Sequence, residues 1–384
     1  MEKMVRAAVS VAAGKVEMQE FPWPKLEPGA AIVKVELCGV CGTDKHSYRG
    51  ETKQGVGTGN EVDMPFPIIQ GHEIVATIAE ITEEGSKCLD FDGNILRPGD
   101  RVTICPDVTC GHCYYCKNNP DYPWCEKLDF TYGCSKGSTT APHLFGGFAE
   151  YMYIDPKSRL YKVPEGLSNR RASFTEVMTV TYALDKAKEF YSFAGEGFGF
   201  GDTVVVQGVG PLGLAHVIKA RMLGAGEIIV TDISDWKLDL AKKFGADVAL
   251  NTNKTTREER VDLVLQKTKG LGASVVVECV GKPFVIPEGF DMLRKAGTYL
   301  ETGMFVDMGN AEWNPHVVCS KSLRILGMYN HMHSKYQTTM QMMVRQGDRF
   351  PWDEYVSHVF PLEQTQQAVE TSMKEESMKV LVQP

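Results

Sequence analysis

The sequence predicts a two-domain α/β protein, an N-terminal all-β domain followed by a doubly wound parallel sheet. Three observations carry that prediction. The 384 residues exceed the size at which one hydrophobic core usually stops growing. Residues 1–165 read as short strands separated by turns. From Asp202 onward, apolar strands alternate with helical segments, beginning at a glycine-rich turn.

Composition sets the outer limits. Hydrophobic residues make up 43% and charged residues 23% of the chain, as in an ordinary globular protein. Forty-one basic against 49 acidic residues give a net charge of −8, which argues against a nucleic-acid or anionic-membrane binder. The opening "MEKMVRAAVSVAAGKVEMQE" has a short apolar run after Arg6, but Lys15 and Glu17 follow at once, so a first β-strand is the expectation rather than a signal peptide. No stretch approaches the roughly 18 apolar residues of a membrane span, and a cytoplasmic location is expected. The eleven cysteines are an odd number and too clustered for a secreted disulfide scaffold. In a reducing compartment they favour metal ligands plus a few buried thiols.

The elements follow in order. "AIVKVEL" (Ala31–Leu37) alternates apolar and charged residues, as a half-buried strand does. "IVATIAEI" (Ile74–Ile81), "RVTIC" (Arg101–Cys105) and "FAEYMYI" (Phe148–Ile154) behave similarly, with Gly, Pro and Asp between them. After Pro164 the character changes, and Ser168 is placed to cap a helix running to about Phe190. "TVVVQ", "EIIVTD", "DVALN", "SVVVECV", "TYLETG" and "LRILGMY" then lack polar alternation, the mark of parallel strands buried on both faces. Gly224 and Gly245 sit where the intervening helices should end. The tail, "VSHVFPLEQTQQAVETSMKE" and "MKVLVQP", reads as strand, helix and closing strand that return to the first domain. The expected division is therefore 1–178 with 328–384, and 179–327. Glycine-rich patches stand at Gly55–Gly59 and Gly195–Gly201.

Four motifs carry chemistry. Gly208, Gly210 and Gly213 form G-x-G-x-x-G between a buried strand and a helix, the context that makes this motif a dinucleotide site. The loop Gly208, Gly210, Pro211, Leu212 and Gly213 lets the backbone approach a pyrophosphate, with the amides of the helix N-terminus facing the anion. Asp232 ends the next strand, where a carboxylate can bond a ribose diol and favour NAD over NADP. "CGHCYYCKNNPDYPWC" places Cys110, Cys113, Cys116 and Cys125 on one loop, four thiolates that can close a tetrahedral structural zinc site. His112, between two of them, is expected to be a solvated loop residue. "CGVCGTDKH" (Cys38–His46) offers three readings: a redox-active pair, half of a zinc site, or a glycine-rich turn carrying thiols. "GHE" adds His72 and Glu73 as candidates for a second metal site, one that must keep a position open if it is catalytic.

On "CGTD" with its following His, "GHE", the four-cysteine loop, "GVGPLG" with its downstream Asp and the closing "MKVLV", the chain resembles the zinc-containing medium-chain alcohol/polyol dehydrogenases over nearly its full length. The resemblance implies a GroES-like catalytic domain and a Rossmann cofactor domain, with two zinc ions per chain and NAD as cofactor. It implies Cys41 and His72 as ligands of the catalytic zinc, with Cys38 a bystander. Glu73 sits at the metal by this reading, and Asp44 orients His72. The sorbitol- and threonine-dehydrogenase-like branch has a glutamate as third protein position in a segment resembling "EPLSV". Here "FTEVMTV" puts Glu176 there without the proline, and Cys125 follows one extra loop residue. The implied relay runs from Thr43 through the cofactor ribose to His46, in a cleft between the domains that excludes water. The expected activity is oxidation of a secondary alcohol, such as a polyol or amino-alcohol, by a homo-oligomer (dimer or tetramer). A simple alcohol or aldehyde dehydrogenase and a catalytically inactive NAD-binding module are the alternatives. Residues Arg49–Pro67 are expected to shape the pocket, and which alcohol fits there is not readable from the sequence.

Overall fold

A computed structural model describes residues 3–54, 61–82, 89–119, 124–188 and 196–384. Gly55–Gly59, Gly195 and Phe190 lie outside the described residues, as does the middle of the Arg49–Pro67 segment. The chain divides into two compact units, one of Met1–Thr179, Met332–Gly347 and Tyr355–Pro384, the other of Val180–His331 and Asp348–Glu354.

The first unit is built on antiparallel sheet. Strands β1 (Met4–Ala12) and β2 (Lys15–Pro22) form a hairpin. β3 (Ala31–Gly39) is followed by helix α1 (Gly42–Tyr48), β4 (Ile68–Ile69) and β5 (Glu73–Ile81). β6 (Arg101–Ile104), β7 (Tyr151–Ile154), β8 (Leu160–Lys162) and helix α2 (Thr175–Val180) complete the N-terminal part. Alternation puts Val33, Val35, Ala76, Ile78, Val102 and Met152 in one buried cluster, because successive strand residues face opposite sides. The C-terminal strand β15 (Lys379–Gln383) pairs with β3 through Leu381–Gly39 and Val382–Cys38. The last strand of the chain thus abuts the end of β3, from which the "CGTD" turn departs.

The second unit carries six parallel strands: β9 (Thr203–Gln207), β10 (Glu227–Asp232), β11 (Val248–Asn251), β12 (Ala273–Glu278), β13 (Leu293–Glu301) and β14 (Arg324–Gly327). Their spatial order is β11-β10-β9-β12-β13-β14, the 3-2-1-4-5-6 order of a dinucleotide-binding sheet. Helix α3 (Pro211–Met222) links β9 to β10. Every residue of β12, "ASVVVE", is buried, which explains the missing polar alternation. Gly224 and Gly245 follow the helix ends with φ of +89° and +110°.

The single helix expected from Ser168 is three short ones: Asn169–Ala172, α2 and Ala183–Lys188. Ser168 does cap the first, accepting from the Arg171 amide. Ser173, Thr175 and Thr179 then turn their hydroxyls back to the carbonyls of Arg170, Ala172 and Glu176. Such local bonds compete with a continuous helix, and the β-branched residues around them lower its propensity.

Candidate metal and dinucleotide sites

Cys41 caps the N-terminus of α1. Asp44, three residues on, accepts the Cys41 amide at 2.8 Å through one carboxylate oxygen and the Gly71 amide at 3.3 Å through the other. One fully buried carboxylate thus ties the "CGTD" turn to the strand that leads into "GHE". Burial pushes the Asp44 carboxyl up, while His72 and the Cys41 and Gly71 amides pull it back. Gly71 has φ of +87°, and a Cβ there would stand 2.7 Å from the Cys38 sulfur. Only glycine admits both that backbone and that approach. Cys38 itself is buried behind the turn, and burial raises its thiol pKa.

His72 follows, 6% exposed, with its ring in hydrogen-bonding reach of two thiols, Cys134 and Cys41. The expected bond from Asp44 to His72 is not among its contacts. The Nδ1 atom lies 3.6 Å from the Cys134 sulfur. Thr43 Oγ1 stands 3.9 Å from the Cys41 sulfur, and His46 Nδ1 is bonded to the Glu51 carboxylate.

Glu73 opens β5 and pairs in register with Gly39. Both of its carboxylate oxygens contact Lys379 Nζ, at 2.6 and 2.5 Å, and both residues are buried. A Cβ at Gly39 would meet a Glu73 oxygen at 2.0 Å. Burial opposes the Lys379 ammonium, but Glu73, Cys41 and Glu176 outweigh it, so its pKa rises. Glu176, on α2 and 9% exposed, acts on Lys379 and Tyr355 together with Glu73 and Cys41. The half-buried Cys41 and the buried His72, Glu73 and Glu176 therefore lie in one neighbourhood of the first unit. Among the described residues, their donor atoms do not gather in threes within 4.8 Å, whereas the four loop cysteines do.

That cysteine loop has the geometry of a closed site. The Cys110 and Cys116 sulfurs are 3.9 Å apart, close to the roughly 3.8 Å edge of a tetrahedron with Zn–S bonds of about 2.3 Å. Cys113 caps a short helix, Tyr114–Asn118, and accepts from the Cys116 amide at 3.4 Å. Cys125 accepts from the Cys110 amide at 3.3 Å. Amides of Cys116 and Glu126 bring the Cys113 thiol down to about 6, and burial pushes Cys125 up to about 12. His112 turns its ring to the Cys110 carbonyl instead of the thiols.

In the second unit, Gly208 has φ of +82°, and a Cβ on Gly213 would collide with the Gly208 carbonyl at 1.8 Å. Gly210 caps α3 with Pro211 in its first turn, followed by Leu212. A Cβ at Gly210 would point into open space, beside the first-turn amides, which have no intrahelical partner. Asp232 closes β10 and accepts the Val209 amide at 2.8 Å and the Ser234 amide at 2.9 Å. The carboxylate is thereby fixed beside the glycine turn.

Four residues were not readable as such from the sequence. Lys379 lies 306 positions from Glu73 and reads only as part of a closing strand. Cys134 belongs to no motif. Glu278 and Glu301 end neighbouring strands in register with their carboxyls hydrogen-bonded to each other. Burial, the Glu301 charge and that bond push Glu278 up to about 8.

A cysteine-loop β-domain and a dinucleotide-type parallel sheet in one chain define a metal-dependent oxidoreductase of the dehydrogenase kind. The chain belongs to the zinc-dependent alcohol dehydrogenase family: residues 27–165 match the alcohol dehydrogenase GroES-like domain and residues 211–345 the zinc-binding dehydrogenase domain. It is 31% identical to a 5-exo-hydroxycamphor dehydrogenase of Pseudomonas putida, over 95% of this chain and 94% of that one. It is 29% identical to an erythritol/L-threitol dehydrogenase of Mycolicibacterium smegmatis, over 100% and 98%. An alcohol dehydrogenase from Thermotoga maritima superposes with a TM-score of 0.88 at 30% identity, with both chains fully covered. Among the described residues, no helix is long and apolar enough to cross a membrane.

Proposed function

We propose that this chain oxidises a secondary alcohol of polyol type, with NAD as acceptor and a zinc ion held by Cys41, His72 and Glu176. The observation that carries this reading is the meeting of Cys41 and His72 in one neighbourhood, with the Thr43 hydroxyl on the Cys41 sulfur. A thiolate and an imidazole suit zinc. Glu176 is the third ligand in this reading, because Lys379 already neutralises both oxygens of Glu73. Cys110, Cys113, Cys116 and Cys125 hold a second, structural zinc.

Zinc supplies the Lewis acidity that lowers a bound hydroxyl's pKa, as it lowers that of water from about 15.7 to about 7, and NAD supplies the hydride acceptor. The chain's own groups do the rest. Thr43 accepts the hydroxyl proton while releasing its own towards His46, which is paired with Glu51 and passes a proton on to solvent. The α3 N-terminus with Gly208, Gly210, Pro211, Leu212 and Gly213 receives the pyrophosphate, and Asp232 bonds the adenosine ribose and repels the extra phosphate of NADP.

Relatives named for erythritol/L-threitol, for sorbitol and for D-xylulose support a polyol. The cysteines among the described residues are all free thiols, which suits a cytoplasmic location. Among the described residues, strand β14 ends its sheet, an edge that a second copy can extend in a homo-oligomer.

Absorbance at 340 nm with NAD and a panel of polyols, simple secondary alcohols and primary alcohols tests the reading. Highest catalytic efficiency on a polyol is expected. Preference for a primary alcohol, or no reduction with any alcohol by zinc-replete protein, would overturn it.

A further inference from the structure

We infer that Cys134 positions the metal ligand His72, its sulfur receiving the Nδ1 proton of the imidazole where a carboxylate usually does so. This rests on the reading of Cys41 and His72 as a metal centre. A metal-binding histidine needs its second ring nitrogen held by an acceptor, which fixes both the ring's orientation and the tautomer that leaves a lone pair for the metal. The neighbouring carboxylates are engaged elsewhere. Asp44 accepts from the Cys41 and Gly71 amides and from Gln70 Nε2 at 3.5 Å, and Glu73 is bound to Lys379. What faces Nδ1 is the Cys134 sulfur at 3.6 Å, an ordinary N–H to sulfur distance.

The backbone builds this meeting. Gly133, with φ of +70°, lies so close to Gly71 that a Cβ on it would stand 2.6 Å from the Gly71 carbonyl. Gly133 N–H donates to the Phe145 carbonyl at 2.7 Å, and Gly147 N–H donates to that of Gly71 at 2.8 Å. Two glycines in contact therefore set the residues that follow them, 72 and 134, side by side. Cys134 is 6% exposed and packs with Met64 and Ile68, so water does not compete for the ring proton. Cys41 lies in reach of the same ring, but the Cys41, His72 and Cys134 donor atoms do not fall within 4.8 Å of one another. The Nδ1 contact places Cys134 beside the ring.

The test compares wild type, Cys134→Val and Cys134→Ser by zinc content after dialysis against a graded chelator, with cobalt-substituted spectra read alongside. The four-cysteine zinc serves as internal control for folding. Removing an acceptor of this kind typically costs about 10–100-fold in metal affinity. Cys134→Val should lose the zinc at Cys41 and His72 that much more readily while keeping the four-cysteine zinc, and Cys134→Ser, which retains an acceptor, should fall between. If the valine variant does not fold, the serine variant carries the test alone, with the same direction and a smaller loss. Two zincs held by the valine variant, or by the serine variant standing alone, as tightly as by wild type would overturn the inference. So would loss of one thiolate's charge-transfer intensity from the cobalt spectrum of the serine variant, since Cys134 would then be a ligand. A wild-type chain binding one zinc sinks the metal-centre reading itself, which separates the two failures.

Discussion

Replacing Glu278 with Gln should remove a pH-dependent instability from the second unit. Glu278 is fully buried and stands in register with Glu301. Its Oε1 accepts the Val280 amide at 2.6 Å and the Gly281 amide at 2.8 Å, and a Cβ on Gly303 would meet its Oε2 at 2.4 Å. Burial first, then the charge of Glu301, raises its pKa from 4.5 to about 8. The sign follows directly. Between those values the folded state holds a proton that the unfolded chain has released, so stability falls as pH rises. At pH 8 the cost is on the order of 4 kcal/mol, of which about half is already present at pH 6. A glutamine keeps the carbonyl oxygen for the two amides and donates its own N–H to Glu301. Urea unfolding at pH 6 and pH 8, at constant ionic strength, should show wild type losing about 2 kcal/mol that Glu278→Gln keeps. Metal-linked protonation is common to both proteins and drops out of the comparison. Parallel stability curves for the two would refute the reasoning.

Three further outcomes are expected. Lys379→Met strands the Glu73 carboxylate in the interior and should cost about 3–5 kcal/mol. Adding Glu73→Leu should recover most of that loss, and an uncorrected double variant would show that the pair's charge is not what matters. Asp232→Ala should narrow the preference for NAD, measured as the ratio of catalytic efficiencies with NAD and NADP. A wild-type enzyme more efficient with NADP contradicts the role given to that carboxylate. Thr43→Ala should lose about 10²–10⁴-fold in turnover with zinc content and NAD affinity nearly intact. Near-normal turnover in the folded, zinc-replete variant would remove the relay.

What the sequence disclosed depended on how local the cause was. The central strands of the second unit were readable because burial on both faces writes an apolar run into them, as in "ASVVVE". The cysteine loop and the Gly208–Gly213 turn were readable for the same reason, since their chemistry needs residues close together in the chain. The break in the helix after Ser168 was not, because Ser173, Thr175 and Thr179 stop it through side-chain bonds that propensity and capping rules do not weigh. The partners of the metal corner were hidden by distance. His72 meets Cys134 across 62 positions through the contact of two glycines, and Glu73 meets Lys379 because β15 returns to β3. Glu278 and Glu301 become a pair only once β12 and β13 are in register.

Zinc counting in a defined set of variants tests the central claim most directly. Wild type should carry two zinc ions per chain by elemental analysis. Folded His72→Ala should carry one and oxidise no alcohol. Cys113→Ser should lose the other zinc together with much of its stability, because a closed zinc site contributes folding energy. An active, purified wild-type chain with one zinc or none, or a folded His72→Ala protein retaining both zincs and its turnover, would contradict the assignment of Cys41 and His72 as the catalytic metal centre.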